Sequence, residues 1–173
     1  MPAPVIILNK PLWARIFTVL WAIEVLAGLG FAAGGVGLLG KGETGVAVVL
    51  IIAGLLLTIV GVVMTGISWQ AARLTGPAIE MLPEGFRDRR ITETVIPWSN
   101  LTWKVVFNGR AYSLQFDVDK DVRKTLHVYW AQRAMGVFNR SFNYPELTVL
   151  TLGTGKSAHQ LGEILARFCS QKL

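Results

Sequence analysis

The sequence predicts a membrane α-helical hairpin followed by an α+β domain, and three observations carry that fold class. Gly45 to Trp69, GVAVVLIIAGLLLTIVGVVMTGISW, holds no charged residue. At about 1.5 Å per residue a helix of this stretch runs roughly 37 Å, more than the ~30 Å hydrocarbon core of a bilayer. A second apolar stretch, Trp13 to Leu39, lies just before it, separated only by Gly40-Lys41-Gly42-Glu43-Thr44. After about Ala72 the pattern changes to regularly spaced charges, alternating apolar residues and recurrent turn signals. That is the pattern of a globular domain of about 100 residues with one hydrophobic core.

The first stretch reads as a retained span. Its apolar run from Phe17 to Leu39 exceeds the ~7–15 residues of a signal-peptide core, and another span follows almost at once. The chain divides into an N-terminal segment (1–12), the hairpin (13–69, with spans at about 13–39 and 45–69), a juxtamembrane link (70–77) and a domain (78–173). Lys10 and Arg15 precede the first span, Arg73 follows the second with Arg87, Arg89 and Arg90 soon after, and the loop's Lys41 is offset by Glu43. Basic residues are retained on the cytoplasmic side. The sequence therefore predicts a multi-pass protein of the cell (inner) membrane with both termini cytoplasmic. Trp13 and Trp69 fall near the expected boundary and Trp21 inside it, as interfacial or lipid-facing anchors.

Within the domain, Ala78 to Leu82 and Phe86 to Ile91 flank Pro83-Glu84-Gly85, where proline then glycine favours a tight turn. Thr94-Val95-Ile96 leads into Pro97-Trp98-Ser99-Asn100, whose proline interrupts the ladder. Leu101 to Phe107 and Ala111 to Val118 surround Asn108-Gly109, a strong hairpin signal. Four or five antiparallel strands follow from these segments. From Asp121 to about Met135 the period becomes helical, with Val122, Leu126, Tyr129, Trp130 and Ala134 on one stripe. Leu147 to Leu152 returns to strand. A last helix then runs from Gly153-Thr154-Gly155 through Cys169, its Leu161, Ile164, Leu165 and Phe168 fit to cover the open side of a small sheet. The part from Ala72 onward is expected to fold without the hairpin.

The run Gly76-Pro77-Ala78-Ile79-Glu80-Met81-Leu82-Pro83-Glu84-Gly85-Phe86-Arg87-Asp88, then Ile96-Pro97-Trp98-Ser99-Asn100-Leu101, then a strand and a final amphipathic helix, resembles the small bacterial membrane proteins with an N-terminal two-span hairpin and a C-terminal pleckstrin-homology-like domain. The resemblance implies a bent antiparallel sheet capped by a C-terminal helix, and it brings no catalytic set. The helix-like insert from Asp121 to Arg140 departs from that pattern.

Three segments invite an enzymatic reading, and each has a structural one. Gly40-Lys41-Gly42-Glu43-Thr44-Gly45 matches G-x-G-x-x-G, yet a dinucleotide fingerprint needs a strand before it and a helix after it within a βαβ unit. Here it joins two spans. Gly153-Thr154-Gly155-Lys156-Ser157 ends like a phosphate-binding loop, but the glycine that pattern needs five residues before Gly155 is Leu150. Ser157 with Gln160 instead reads as a capping box on the last helix. One cysteine, Cys169, and two histidines, His127 and His159, lack metal-ligand spacing. No catalytic residue, cofactor or metal is therefore assigned.

The remaining candidates concern the membrane. Glu24 is an ionisable residue inside a span, costly there and a functional candidate. Gly30, Gly34 and Gly37 in the first span and Gly54 and Gly61 in the second are candidate helix-packing positions, within the hairpin or between copies in a homo-oligomer. The part after Ala72 carries 14 basic against 9 acidic residues, a balance that suits an anionic leaflet, with Arg73, Arg87, Arg89, Arg90 and Lys156 as candidate lipid or anion contacts. The expected function is a non-catalytic, membrane-anchored cytoplasmic binding or scaffold module that presents its domain to a protein or anionic-lipid surface. The alternative is a small transporter or channel component assembled from hairpins around Glu24. The expected partners are the bilayer, an unidentified protein and further copies of the chain; none is a nucleic acid.

Overall fold

The computed structural model describes residues 3–107, 112–141, 144–145, 147–149, 151 and 153–170. Two long apolar helices, α1 (Pro11–Leu39) and α2 (Thr44–Arg73), precede a small antiparallel-sheet domain and a C-terminal helix. Both helices are long and apolar enough to cross a membrane. They leave large apolar side chains such as Leu26, Val49 and Ile59 exposed. The connecting turn places Gly42 at φ +80°, a left-handed conformation that glycine adopts without strain.

The helices meet through small residues seven apart. Ala47, Gly54, Gly61 and Ser68 are buried along one face of α2, opposite Ala14, Gly28 and Gly35 of α1. A Cβ on Gly54 would lie 2.6 Å from the backbone nitrogen of Ala32, and one on Gly28 would lie 2.8 Å from the carbonyl oxygen of Gly54. The backbones therefore touch, as small-residue seams allow. Gly54 and Gly61 are packing residues as expected. Gly30, Gly34 and Gly37 lie off this seam and face away from α2: nothing in the chain lies within 4 Å of a Cβ built on any of them. The four-residue spacing that marks Gly30 and Gly34 loses to the seven-residue repeat, because only the latter matches the small-residue face of α2.

The domain contains two sheets. β1 (Val5–Leu8), β2 (Pro77–Met81), β3 (Gly85–Asp88) and β4 (Ile96–Pro97) pair antiparallel in that order. β5 (Leu101–Phe107), β6 (Tyr112–Val118) and β7 (Leu147–Val149) form the second sheet. Between β4 and β5 the chain changes sheet through a 3-10 turn at Trp98–Asn100. Trp98 pins this corner, donating its indole N–H to the Leu82 carbonyl at 2.8 Å and packing 5.5 Å from the ring of Phe168 on the last helix. The Leu82–Gly85 turn closes β2 on β3 with two mutual backbone bonds. The bounds of β5 agree with the sequence expectation; Asn108 to Ala111, the expected turn and the first residue of the following strand, lie outside the described residues.

One core joins both sheets to the C-terminal helix, α5 (Ala158–Ser170). Ile79, Met81 and Phe86 come from the first sheet, Leu114 and Phe116 from the second, and Leu161, Leu165 and Phe168 from α5. Phe86 and Phe116 stack with centroids 4.6 Å apart.

Two expectations change. Residues 1–12, expected as a segment apart from the domain, supply β1, with Val5 opposite Met81 and Ile7 opposite Ile79. The hairpin is thus inserted between two neighbouring strands. The single helix expected over Asp121 to Met135 is two, α3 (Lys120–Thr125) and α4 (Trp130–Ser141). Leu126 is buried where they part, Val128 bridges Thr92, and the Tyr129 amide donates to the Ile91 carbonyl. Tertiary pairing with the Ile91–Thr92 turn after β3 breaks the helix.

Asn9 fastens the base of the hairpin. Its amide nitrogen Nδ2 donates to the carbonyls of Ala71 at 2.6 Å and Leu74 at 2.8 Å, occupying acceptors that the end of α2 leaves free. Its backbone N–H reaches the Gly76 carbonyl at 2.9 Å.

Two outcomes are expected from this architecture. Gly54→Val should destabilise the hairpin by about 1–3 kcal/mol through overpacking, while Gly34→Val should change little, as read by thermal unfolding in detergent. A fragment starting at Ala72 should aggregate for want of β1. Replacing Pro11–Arg73 with a short Gly-Ser linker should restore a soluble domain with near-UV circular dichroism.

Candidate functional site

The three domain arginines expected to meet anions are each paired with a carboxylate of the chain. Glu80 and Arg87 face each other across β2 and β3, and the Arg87 Nε donates to Glu80 Oε2 at 2.6 Å. That bond raises the Arg87 pKa above its ordinary value. Arg89 pairs with Glu93 at 3.0 Å on the exposed rim. Arg90 and Asp88 form a buried fork, Nε to Oδ1 at 2.9 Å and Nη2 to Oδ2 at 2.7 Å, with the Arg90 amide adding a third bond to Oδ1 at 3.0 Å. A pair so enclosed holds the β3 turn in shape, and removing one partner would leave an uncompensated charge. Arg73 is exposed and stands 5.6 Å over the ring of Trp69. Arg87 and Arg89 both reach Glu93, Arg87 through Nη1 to its carbonyl at 3.5 Å.

The Gly153–Ser157 segment forms a bracket. Gly153 and Gly155 take φ of +77° and +64°, and the Gly153 carbonyl accepts from the Lys10 amide at the start of α1. The Thr154 amide goes to the Thr151 carbonyl, the Lys156 amide to Thr154 Oγ1, and the Ser157 amide to Gln160 Oε1 at 2.9 Å. The Gln160 amide returns to Ser157 Oγ at 3.2 Å, completing the capping box. A phosphate cradle needs amides pointing at the ligand, and these three are taken. Lys156 itself is exposed.

Glu24 is half-buried on α1, four residues before the buried Gly28 of the helix seam. Among the described residues no group of three or more His, Cys, Asp and Glu is gathered for a metal.

A second basic region escapes the sequence reading. Arg123 and Lys124 of α3 and Arg133 and Arg140 of α4 border an open cleft of about 310 Å³ floored by Leu126 and Leu147. On the other side of α4 an apolar groove of about 340 Å³ runs against Ile59, Val60, Val63 and Met64 of α2. Val137 borders both. The signal was local: Arg133 and Arg140 stand seven apart on a helix whose Trp130, Val137 and Phe138 share a stripe. Ending the helix at Met135 hides it. Tyr129, just before α4, hydrogen-bonds Glu93 through its hydroxyl at 3.2 Å. Burial and the Glu93 charge hold this phenol above its ordinary pKa, so it stays neutral throughout the physiological range.

The bracket yields a paired test. Ser157→Ala should cost on the order of 1 kcal/mol in urea unfolding, whereas Lys156→Ala should leave stability nearly unchanged. Neither variant nor the parent should bind ATP or GTP above background in equilibrium dialysis with magnesium; saturable binding abolished by Lys156→Ala would restore the phosphate-loop reading.

The chain matches no protein-family model, no curated protein and no solved structure, so the functional reading rests on its own residues.

Proposed function

We propose that this chain is a non-catalytic, membrane-anchored binding or scaffold module. The hairpin is its anchor in the cell membrane, both termini are cytoplasmic, and a pleckstrin-homology-like domain is presented to a protein or an anionic lipid surface. The supporting observation is the insertion of α1 and α2 between β1 and β2. A hairpin tethered by one flexible link would let the domain swing away. Here both ends of the hairpin enter the same sheet, and Asn9 and Lys10 tie them to the end of α2 and to the Gly153 turn. Such a domain stays at the bilayer surface, where local concentration of surface ligands is high. Two paired sheets with a C-terminal helix across them support the pleckstrin-homology-like reading, and the lysines and arginines flanking the helices support the orientation.

Cysteine labelling tests the topology. In a Cys169→Ser background, an impermeant thiol reagent applied outside the cell should label Glu43→Cys and spare Ala3→Cys and Asp121→Cys. Labelling of Asp121→Cys from outside would invert the orientation. Purified protein in liposomes should show no ion flux; flux abolished by Glu24→Gln would favour the transporter or channel alternative over the scaffold.

A further inference from the structure

α4 presents apolar surface where a water-facing helix would not. Trp130, Val137 and Phe138 are 59%, 63% and 56% exposed, and with Ala134 they recur at i, i+4, i+7 and i+8. The helix leans on α2, with the Trp130 ring against Gly66. Gly66 lies about 4.5 Å of helix rise before Trp69, and the groove residues Ile59 and Val63 lie roughly 9–15 Å before it. Those positions belong to the charge-free stretch of α2. An interfacial helix sinks about 5–10 Å into the headgroup and acyl boundary; α4 meets α2 over that range at Gly66 and Val63 and reaches beyond it at Ile59.

The two depressions beside α4 differ in chemistry. Between Lys120 and Ser141 five basic residues face one acid, Asp121. Asp121 pairs with Lys124 at 3.0 Å, but both side chains are largely exposed, so the pair is weak and exchangeable. Arg123 and Arg140 hold other contacts, and Arg133 projects from the cleft's exposed wall. The groove is lined by Ile59, Val63, Ala134 and Phe138, and Val137 lines both it and the cleft. A soluble anion would use the cleft and leave the groove; a molecule with a phosphate at one end and a hydrocarbon chain at the other uses both.

We propose that the cleft and groove flanking α4 together seat one anionic phospholipid of the leaflet. Its headgroup lies against Arg133 and Lys124, with Arg123 and Arg140 bordering it, and an acyl chain runs along Ile59, Val63 and Phe138. This site rests on the membrane-anchored reading and gives the lipid surface of that reading a definite place.

The test uses the full chain, purified in mild detergent and examined by native mass spectrometry with added phosphatidylglycerol or phosphatidylcholine. Phosphatidylglycerol should be retained in preference to phosphatidylcholine. The double variant Lys124→Gln/Arg133→Gln should lower its retention roughly 25-fold, about fivefold per cation. Lys104→Gln/Arg167→Gln, which removes the same charge elsewhere, should leave retention unchanged. Equal retention of the two lipids, or a double variant that binds as the parent does, overturns the proposal. So does displacement of phosphatidylglycerol by millimolar glycerol phosphate, which would make the site one for a soluble anion. Carbonate extraction of cell membranes separates this failure from that of the anchor. Protein that stays in the pellet without lipid preference rejects the lipid site alone, whereas protein released to the supernatant rejects the anchored reading.

Discussion

The pairing of β1 with β2 is the constraint on which the rest of the structure depends. These strands are neighbours in the sheet, yet α1 and α2 lie between them in the chain. The base of the hairpin must therefore close within one strand spacing, and the helices must run back alongside each other. Loop-closure entropy does not forbid this, since each doubling of loop length adds only about 0.6 kcal/mol. Geometry is the stricter demand. Helix axes held close at the base can stay in contact along their length only if the facing side chains are small, and Gly28, Gly35, Ala47, Gly54 and Gly61 meet that demand. Asn9 then removes the cost of ending α2 at a buried junction, because its Nδ2 occupies two carbonyls with no helical partner.

Charge in the domain is arranged in two distinct ways. On the first sheet, cation and carboxylate are brought together by register or by a tight turn, as in Glu80 with Arg87 and Asp88 with Arg90. The buried Asp88–Arg90 fork has three hydrogen bonds to offset its desolvation. Between Lys120 and Ser141 the sequence carries five basic residues and one acidic residue, Asp121. In the proposed lipid-facing arrangement, this basic segment lies on the side that α4 shares with the apolar part of α2.

What was legible in the sequence was set by short-range pattern. The two apolar helices, the β2–β3 turn, the strand from Leu101 to Phe107, the Ser157–Gln160 cap and the buried face of α5 all follow from spacing within a few residues. Much of what was missed depends on partners far along the chain. β1 has four residues and pairs only after the hairpin has returned. The break between α3 and α4 comes from Val128 bridging Thr92. Gly28 and Gly35 look no different from Gly30 and Gly34 until the heptad face of α2 selects between them. Arg87, Arg89 and Arg90 look like a cation cluster in the chain, and only the folded register shows each beside its own carboxylate.

The length of α2 links these parts. Its 30 residues rise about 45 Å, roughly 15 Å more than a ~30 Å hydrocarbon core requires. The surplus cannot all lie at the loop end without lifting the Gly40–Glu43 turn well clear of the bilayer. Contact between Gly66 and Trp130 gives the surplus a use at the other end, since α4 packs on the last turns of α2 and covers them with an apolar flank. Sliding the hairpin outward would drag Arg133 and Arg140 toward hydrocarbon, which is unfavourable for cations. Sliding it inward would bring Trp130, Val137 and Phe138 into water. In the proposed membrane-anchored arrangement, insertion depth and domain orientation are thus set by the same helix.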